Sequence, residues 1–339
     1  MRRFFLGITT ACNMDCTYCF VNPTNEVMKI RSAKKYVKYF LSSGGDDKLL
    51  YFYGGEPFLF PKLIQEVDSF LVEEAKRRNK KTSVLIVTNG TLLSEDISDY
   101  LKKYSPKLMV SLSGTHDSHD LFRKIKGETG SFGRITENLK TFLRLVKEKD
   151  LWVSYTIHPK MLDNFYKDLD YLLKLGFANI HIEPVQFTEK VHWNKYQLES
   201  FEKTIEKFFG QIQKNIEKGI FIFNSKIIRD IEIMFGIAPQ DDFLYSVYNN
   251  LRAWPGDRLA FSHFLINLEE KRELPNDIAE NYGKSIEIGR SGSKKARAGE
   301  RVWGIYDAQC RKFAKDVMIK AQKNKQFQRY IKECLTRAI

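Results

Sequence analysis

Six short apolar segments, each followed by an amphipathic helical pattern, run through residues 4 to about 218 of this 339-residue chain. The segments begin near residues 4, 48, 83, 107, 152 and 179, and nearly all of their positions are apolar. Strands of this kind are buried on both faces of a parallel sheet, with helices packed against it. Because there are six units rather than the eight of a closed barrel, we predict an α/β fold with a partial, laterally open (β/α)6 TIM-like barrel.

The pattern becomes less regular after the long amphipathic stretch from Trp193 to about Gly219. We therefore predict a partial-barrel core over residues 1–218 and a basic, mostly helical C-terminal extension over residues 219–339. Within the extension, the stretch from Cys310 to Leu335 has the pattern of one amphipathic, lysine-rich helix.

Three of the five cysteines lie together at Cys12, Cys16 and Cys19, directly after the first predicted strand. Their spacing is C-x3-C-x2-C, so one short loop carries three thiol groups. Thiolate is the usual protein ligand of iron–sulfur clusters, and three ligands on a four-iron cluster leave one iron open. An open coordination position allows a metal site to take part in chemistry. The loop therefore predicts a catalytic [4Fe-4S] cluster.

A structural zinc site is the main alternative for these cysteines, with Cys310 or Cys334 completing the ligand set. Zinc sites usually contain paired C-x2-C units. The x3 spacing between Cys12 and Cys16 therefore disfavours zinc.

The same loop resembles the signature of the radical S-adenosylmethionine enzymes, which is C-x3-C-x2-C with an aromatic residue before the last cysteine, here Tyr18. The resemblance implies one [4Fe-4S] cluster whose fourth iron binds the amino and carboxylate groups of S-adenosylmethionine. It also implies that Tyr18 and Phe20 lie against this cofactor. Reduction by a one-electron donor such as flavodoxin or ferredoxin would then produce a 5′-deoxyadenosyl radical that abstracts hydrogen from a substrate.

The segment Gly54-Gly55-Glu56-Pro57 follows the second predicted strand. Paired glycines let a backbone approach a ligand closely, and a carboxylate can pair with an ammonium group. In the family that the chain resembles, this segment meets the amino group of the methionine moiety, which implies the same role for these four residues. Asn89, in the turn after the third strand, is a further candidate for contact with S-adenosylmethionine, although a tight turn also explains it.

Two candidate ligand-binding residues, Ser111 and Arg123, follow the fourth predicted strand. A serine hydroxyl suits a ribose, and an arginine suits a carboxylate because the two can form a bidentate pair. The peptide-modifying branch of the family commonly has S-L-D-G here, followed by H-D and R, whereas this chain has Ser113 in place of the aspartate. Glu183, after the sixth strand, is a candidate for lining the adenine or substrate pocket. His181 lacks metal-ligand spacing and is interpreted as structural.

Many members of that branch carry a cysteine-rich SPASM or twitch extension that holds auxiliary clusters. Outside the first loop this chain has only Cys310 and Cys334, and two thiolates cannot fill a conventional cluster site. The stretch from Trp254 to His263 resembles the remnant of such an extension without its ligands. We therefore expect one [4Fe-4S] cluster and S-adenosylmethionine as cofactors.

The net charge of +13 is concentrated at the C-terminal end, where fifteen Lys and Arg face five Asp and Glu from Lys284 onwards. A basic end can hold an acidic peptide, a nucleic acid or a phosphate-bearing substrate, whereas a solvated helix face is the simpler interpretation. No apolar run reaches membrane-spanning length, so no membrane partner is expected. Unpaired cysteines indicate a reducing compartment, and we expect a cytoplasmic protein.

The predicted function is that of a radical enzyme that cleaves S-adenosylmethionine reductively and abstracts hydrogen from a peptide or protein substrate. Radical modification of a nucleotide, a nucleic acid or a small metabolite is the alternative. The basic C-terminal region would then bind that substrate. A non-catalytic iron–sulfur protein, which would keep the cysteines but bind no S-adenosylmethionine, is a second alternative. The intact Gly54-Gly55-Glu56-Pro57 segment argues against it.

Overall fold

The six predicted strand–helix units are all present in the computed structural model, which describes residues 3–21, 23–185, 190–236, 252–256, 258–260 and 294–337. For residues 252, 258–260 and 294–300 it describes the backbone alone. In chain order the strands and helices are β1 Arg3–Thr9, α1 Ile30–Ser42, β2 Asp47–Gly54, α2 Pro61–Arg77, β3 Lys81–Thr88, α3 Glu95–Tyr104, β4 Lys107–Ser111, α4 His116–Asp120, α5 Phe132–Leu145, β5 Leu151–Ile157, α6 Phe165–Lys174, β6 Asn179–Pro184, α7 Lys195–Glu217, β7 Phe223–Asn224, α8 Ser225–Met234, β8 Arg252–Trp254, β9 Arg258–Ala260, α9 Lys294–Ala321 and α10 Lys325–Thr336. The predicted α/β class with parallel strands is confirmed.

The chain divides into two compact units, each made of several segments. The first unit contains residues 1–110, 123–147 and 242–292, and the second contains residues 111–122, 148–241 and 293–339. The division between residues 218 and 219 stays a prediction.

In the first unit the strand order is β9-β8-β1-β2-β3-β4. The pairs β1–β2, β2–β3, β3–β4 and β1–β8 are parallel, and β8–β9 is antiparallel. Phe4 and Leu6 of β1 are fully buried, and Phe4 stacks on Phe40 of α1 with ring centroids 5.5 Å apart. The apolar strands thus pack against the helices that follow them, and their carboxyl ends carry the loops with the predicted site residues.

In the second unit β5, β6 and β7 are parallel neighbours, with Val153 opposite Ile180 and Asn179 opposite Phe223. Among aliphatic side chains, its core contains large aromatic ones, from strands and helices alike. Those that are fully buried include Trp152, Tyr155, Phe165, Phe201, Phe208, Tyr306 and Tyr330. None of the helices within the described ranges has the length and apolar composition needed to cross a membrane.

The prediction of one helix from Cys310 to Leu335 is wrong, because this stretch contains the end of α9 and the whole of α10. The break falls at Asn324, whose side-chain oxygen accepts a hydrogen bond from Gln326 N at 2.8 Å and so caps α10. Asparagine is a strong N-cap residue because it satisfies an amide that has no partner inside the helix. Because the amphipathic pattern continues across the break, hydrophobic periodicity alone does not show that the helix is interrupted.

Candidate active site

The three clustered cysteines lie on the loop that joins β1 to α1, and the base of this loop is closed by hydrogen bonds. Thr10 N donates to Glu26 O at 2.9 Å, so the chain returns to the strand from which it left. Cys12, Cys16 and Cys19 are all half-buried, and all three are reduced thiols. A closed loop with three accessible thiols provides ligands that need little further ordering.

The end of β2 lies against the start of the cysteine loop. Gly55 N donates to Thr9 O at 2.8 Å, and Glu56 N donates to Ala11 O at 2.9 Å. A Cβ atom at Gly54 would lie 2.2 Å from Thr9 O, and one at Gly55 would lie 2.1 Å from Ala11 O. The two glycines therefore admit the backbone of the cysteine loop, which is a different requirement from the close approach to a ligand that the sequence suggested.

Glu56 is completely buried and joins the ends of two strands. Its Oε1 accepts hydrogen bonds from Phe58 N at 2.9 Å and from Thr88 Oγ1 at 2.8 Å, and its Oε2 accepts one from Asn89 N at 2.6 Å. Burial raises the pKa of this carboxyl to about 7, against the opposing effect of the three hydrogen bonds and of Arg123. The Glu56 side chain therefore links the loop after β2 to the loop after β3 by hydrogen bonds.

The loop after β3 holds one side of the cysteine loop. Asn89 Nδ2 donates to Asn13 Oδ1 at 2.8 Å and lies 3.8 Å from Cys12 Sγ. Asn13 Nδ2 in turn donates to Thr91 Oγ1 at 2.8 Å. The sequence pointed to Asn89 but not to Asn13 or Thr91, because polar residues in turns are common and only the fold brings these three together.

The segment that begins at Arg123 holds the other side of the cysteine loop. Asp15 N donates to Lys124 O at 2.8 Å, and Arg123 Nη1 donates to Tyr18 Oη at 3.0 Å. Arg123 is buried, and its Nε has no hydrogen-bond partner among the residues that the structure describes. The predicted residues Tyr18 and Arg123, 105 positions apart, are thus brought together.

Phe20 and Pro57 lie at the edges of this arrangement. Phe20 is half-buried and stacks on Tyr53 of β2, with ring centroids 6.4 Å apart and planes inclined by 16°. Pro57 is buried and begins the 3-10 helix Pro57–Leu59, which Glu56 caps. Pro57 therefore sets the direction in which the chain leaves the site, as expected of a proline with fixed φ.

The donor set fits a cluster held by thiolates. Met14 N donates to Cys12 Sγ at 3.4 Å, and the Asn89 amide lies near the same sulfur. Burial raises the pKa of the Cys12 thiol to about 11, and a bound metal would favour the thiolate strongly. In the described part of the chain, no three His, Cys, Asp or Glu side chains are arranged to hold a single metal ion. An anionic cluster and its ligand would also supply an acceptor for Arg123, whose buried Nε lacks one in the described residues.

The predicted residue Ser111 ends β4 at the point where the chain enters the second unit. Within that unit, the loop after Ser111 is held by Asp168 of α6, which the sequence did not single out. Asp168 Oδ1 accepts hydrogen bonds from Thr115 N at 2.9 Å and Thr115 Oγ1 at 2.7 Å, and Oδ2 accepts one from Tyr155 Oη at 3.2 Å. A Cβ atom at Gly114 would lie 2.2 Å from the Asp168 carboxyl carbon, so the turn requires glycine.

Glu183, the last candidate from the sequence, also belongs to the second unit and is partly exposed on β6. His181 Nε2 lies 2.9 Å from Glu183 Oε1, and His181 Nδ1 is hydrogen-bonded to Ser225 Oγ. His181, which the sequence indicates is structural, is therefore the direct partner of the candidate site residue Glu183.

Several curated proteins are similar to this chain in sequence, among them the following two. The cysteine-type anaerobic sulfatase-maturating enzyme of Clostridium novyi (strain NT) is 27% identical over 242 residues, which cover 68% of this chain and 64% of that protein. The antilisterial bacteriocin subtilosin biosynthesis protein AlbA of Bacillus subtilis (strain 168) is 25% identical over 176 residues, covering 48% of this chain and 37% of that protein. The chain thus spans less than two thirds of the length of both relatives.

The fold is also found among solved structures. The structure of histidine-tagged anSMEcpe with bound AdoMet superposes with a TM-score of 0.74 at 15% identity, covering 98% of this chain and 99% of that chain. At this identity the likeness shows the fold alone, and it supports the predicted partial barrel. The family model described as "Radical SAM superfamily" matches residues 6–175, half of the chain, including the cysteine loop and the loops after β2, β3 and β4. The chain therefore belongs to the Radical SAM superfamily, whose enzymes use a [4Fe-4S] cluster and S-adenosylmethionine.

Proposed function

We propose that this enzyme abstracts a hydrogen atom from a peptide or protein substrate and thereby modifies it. The reduced cluster, supplied with an electron by a donor such as flavodoxin or ferredoxin, and its bound S-adenosylmethionine would provide the 5′-deoxyadenosyl radical. The observation that carries the proposal is the clamped cysteine loop, held on one side by the loop after β3 and on the other by the segment from Arg123. A loop fixed on both sides suits a site in which the reacting groups must be placed accurately.

The chain's own residues would share the work of binding. Cys12, Cys16 and Cys19 would hold the cluster, and the half-exposed backbone of Gly54 and Gly55 would face the amino group of S-adenosylmethionine. Glu56, whose carboxylate oxygens already accept three hydrogen bonds from the chain, would link the turn after Gly55 to the loop after β3 and supply negative charge there.

Arg123 would meet the carboxylate of S-adenosylmethionine, because it is a buried cation with one donor that lacks a partner in the described residues. Tyr18 orients the Arg123 guanidinium by accepting its 3.0 Å hydrogen bond. Phe20 would lie at the edge of the cofactor, and Asn89 would contact the cofactor near Cys12. Ser111 would bind the ribose, and Glu183 would line the adenine or substrate pocket.

The peptide substrate class is supported by the relatives and by the sequence around Ser111 and Arg123. Two of the curated relatives are named for sulfatase maturation and for bacteriocin biosynthesis. The anSMEcpe enzyme has also been solved with AdoMet and the Cp18Cys peptide bound. The residues Ser111, Gly114 and Arg123 agree with the pattern of the peptide-modifying branch.

The basic C-terminal helices offer little support for a nucleic-acid substrate. Several of their cations are already paired within the second unit: Lys312 with Glu206 at 3.2 Å, Lys320 with Glu217 at 3.3 Å and Arg311 with Asp307 at 2.7 Å. These pairs join α9 to α7 or lie along α9 itself. These three cations are therefore already paired with carboxylates of their own unit.

A deuterium-transfer experiment tests the substrate class before any substrate has been identified. Cells that encode this chain are grown in D2O, and their peptide and protein fraction is separated from their nucleotides, metabolites and nucleic acids. Each fraction is incubated with the reconstituted enzyme, S-adenosylmethionine and dithionite. Deuterium should appear in 5′-deoxyadenosine only with the peptide and protein fraction, as measured by mass spectrometry.

Two controls define the result. Exhaustive protease digestion of the active fraction should abolish the transfer, and the Cys12→Ala enzyme should give none with any fraction. Deuterium that comes from the nucleotide and metabolite fraction instead would show that the peptide assignment is wrong.

The second prediction concerns the exposed basic residues Lys323, Lys325 and Arg329. Reversing their charges together, with glutamate at each position, should change the rate of deuterium transfer by no more than about twofold, because exposed charges interact weakly across water. The Arg329 guanidinium also lies 5.3 Å from the Phe221 ring centroid, which gives it a packing role. The rate is measured at two salt concentrations.

Reversal at the exposed lysines Lys35, Lys76 and Lys147 of the first unit provides the matched control. A loss of more than about fivefold in the first variant but not in the control, with a weaker dependence on salt, would identify the basic end as a grip for an acidic substrate.

A further inference from the structure

Trp254, the last residue of β8, is buried beside the cysteine loop with 1% of its surface exposed. Together with Val21 it forms a small buried cluster against which Cys19, Phe20 and Tyr53 pack. Its ring meets Tyr53 edge-on, with ring centroids 6.1 Å apart. The indole therefore lies next to one of the three proposed cluster ligands, although it comes from a strand more than 230 positions later in the chain.

The room for this indole is provided by Gly7 of β1. β8 pairs with β1 in parallel, with Ala253 opposite Leu6, so the next residues on the two strands are neighbours. A Cβ atom at position 7 would lie 2.5 Å from Trp254 Cε3, closer than real side-chain atoms approach one another. Gly7 is not among the glycines with positive φ, so it is needed here for space. The position of the indole is thus set by the two strands.

The indole N–H of Trp254 donates no hydrogen bond to any atom of the described residues. Leaving a buried donor without an acceptor is unfavourable, and such groups are rare in native proteins unless something outside the chain completes them. A [4Fe-4S] cluster on Cys12, Cys16 and Cys19 would bring thiolate and sulfide sulfurs, which accept hydrogen bonds, to this side of the loop.

We infer that the Trp254 Nε1–H donates a hydrogen bond to a sulfur of the cluster, either the Cys19 thiolate or an adjoining sulfide, and raises the reduction potential of the cluster. The reduced cluster carries one more negative charge than the oxidised cluster, so a hydrogen-bond donor stabilises the reduced state more. Trp254 is therefore a residue that makes the first electron transfer to the cluster easier. The inference does not depend on which substrate the enzyme takes.

The sharpest test replaces the indole without changing its shape. Stop-codon suppression can place β-(3-benzothienyl)alanine at position 254, which keeps the two fused rings and has sulfur in place of N–H. After anaerobic reconstitution we expect the iron content of wild type, a lower midpoint potential in an EPR-monitored redox titration, and loss of one exchangeable proton coupling. That coupling is observed by ENDOR of the reduced cluster in H2O and D2O.

Trp152 provides the matched control, because it is fully buried, its Nε1 also lacks a partner in the described residues, and it lies in the other unit. The same replacement at position 152 should leave both the potential and the coupling unchanged. An equal fall in potential in both variants would overturn the inference, as would persistence of the exchangeable coupling in the position-254 variant.

Wild-type protein supplies a readout that requires no variant to fold. With 15N-indole tryptophan incorporated, the reduced wild-type cluster should show a coupling to 15N that disappears in Trp254→Phe and remains in Trp152→Phe. Absence of any such coupling in wild type would by itself refute the hydrogen bond.

Discussion

Replacing Cys12, Cys16 or Cys19 individually by alanine should abolish the formation of 5′-deoxyadenosine from S-adenosylmethionine. Each substitution removes one of three thiolates, and no fourth cysteine lies in the same loop to replace it. Anaerobic reconstitution of wild type should yield about four iron and four sulfide per chain, whereas each variant should retain less than about half of that. Iron and sulfide analysis and chromatography of the dithionite-driven reaction measure the two effects.

Cys310 and Cys334 are the matched controls for this experiment. Both are fully buried in the second unit, and burial raises the pKa of each thiol above its usual range. Cys310→Ala and Cys334→Ala should therefore keep the full iron content and the activity. Loss of iron in either control, or one zinc without labile sulfide in anaerobically purified wild type, would favour the zinc alternative.

Glu56→Ala should have the second-largest effect, which acts on the binding of S-adenosylmethionine and on stability together. The substitution leaves Phe58 N, Thr88 Oγ1 and Asn89 N without their common acceptor. We expect a decrease of about 4 kcal/mol in the free energy of unfolding, since hydrogen bonds to a charged group contribute more than neutral ones. We also expect the Kd for S-adenosylmethionine to rise about tenfold or more, because the proposed site would lose both its negative charge and the link between the loops after β2 and β3. Calorimetry and chemical denaturation measure these changes.

Glu56→Gln separates the carboxylate charge from the hydrogen-bond acceptor. Because burial raises the pKa of Glu56 to about 7, protonated and ionised forms are balanced near neutrality, and a bound ammonium group would favour the ionised form. In wild type the affinity for S-adenosylmethionine should therefore rise as pH increases from about 6 to about 7, and in Glu56→Gln this dependence should vanish.

Glu74, another buried glutamate of the first unit, is paired with Arg77 at 2.7 Å and serves as the control. Glu74→Ala should leave cofactor affinity unchanged. Cofactor affinity that stays at the wild-type level in both Glu56 variants would show that Glu56 has no part in the binding site.

Much of the candidate cofactor site was predictable because its residues follow strands directly. The segments around Cys12, Gly54 and Asn89 each come at the carboxyl end of a parallel strand, and such ends meet at one edge of a sheet. The apolar periodicity that predicted the strands therefore also predicted which polar residues would be neighbours. Glu56 was identified for its charge, but its complete burial and its three donors could not be inferred from a tetrapeptide.

The partners that hold the site in place carry no local signal. Asn13, Thr91 and Asp168 are ordinary polar residues in turns or on a helix face, and each acts through a residue far away in the chain or in a neighbouring loop. The interruption at Asn324 was missed for a related reason, since a helix cap changes the backbone without changing the hydrophobic period.

The sequence by itself determined the α/β class, the order of the six strand–helix units and the cysteine loop, because hydrophobic periodicity and ligand spacing are local properties of the chain. Tertiary structure alone decided which polar groups are buried and which hydrogen-bond partners they have. It buried Glu56 among donors from two loops and joined Arg123 to Tyr18. It also packed Trp254 against Cys19, in space that the absence of a side chain at Gly7 leaves open. These contacts depend on strand register and on close packing between distant segments, and neither is encoded in any single stretch of sequence.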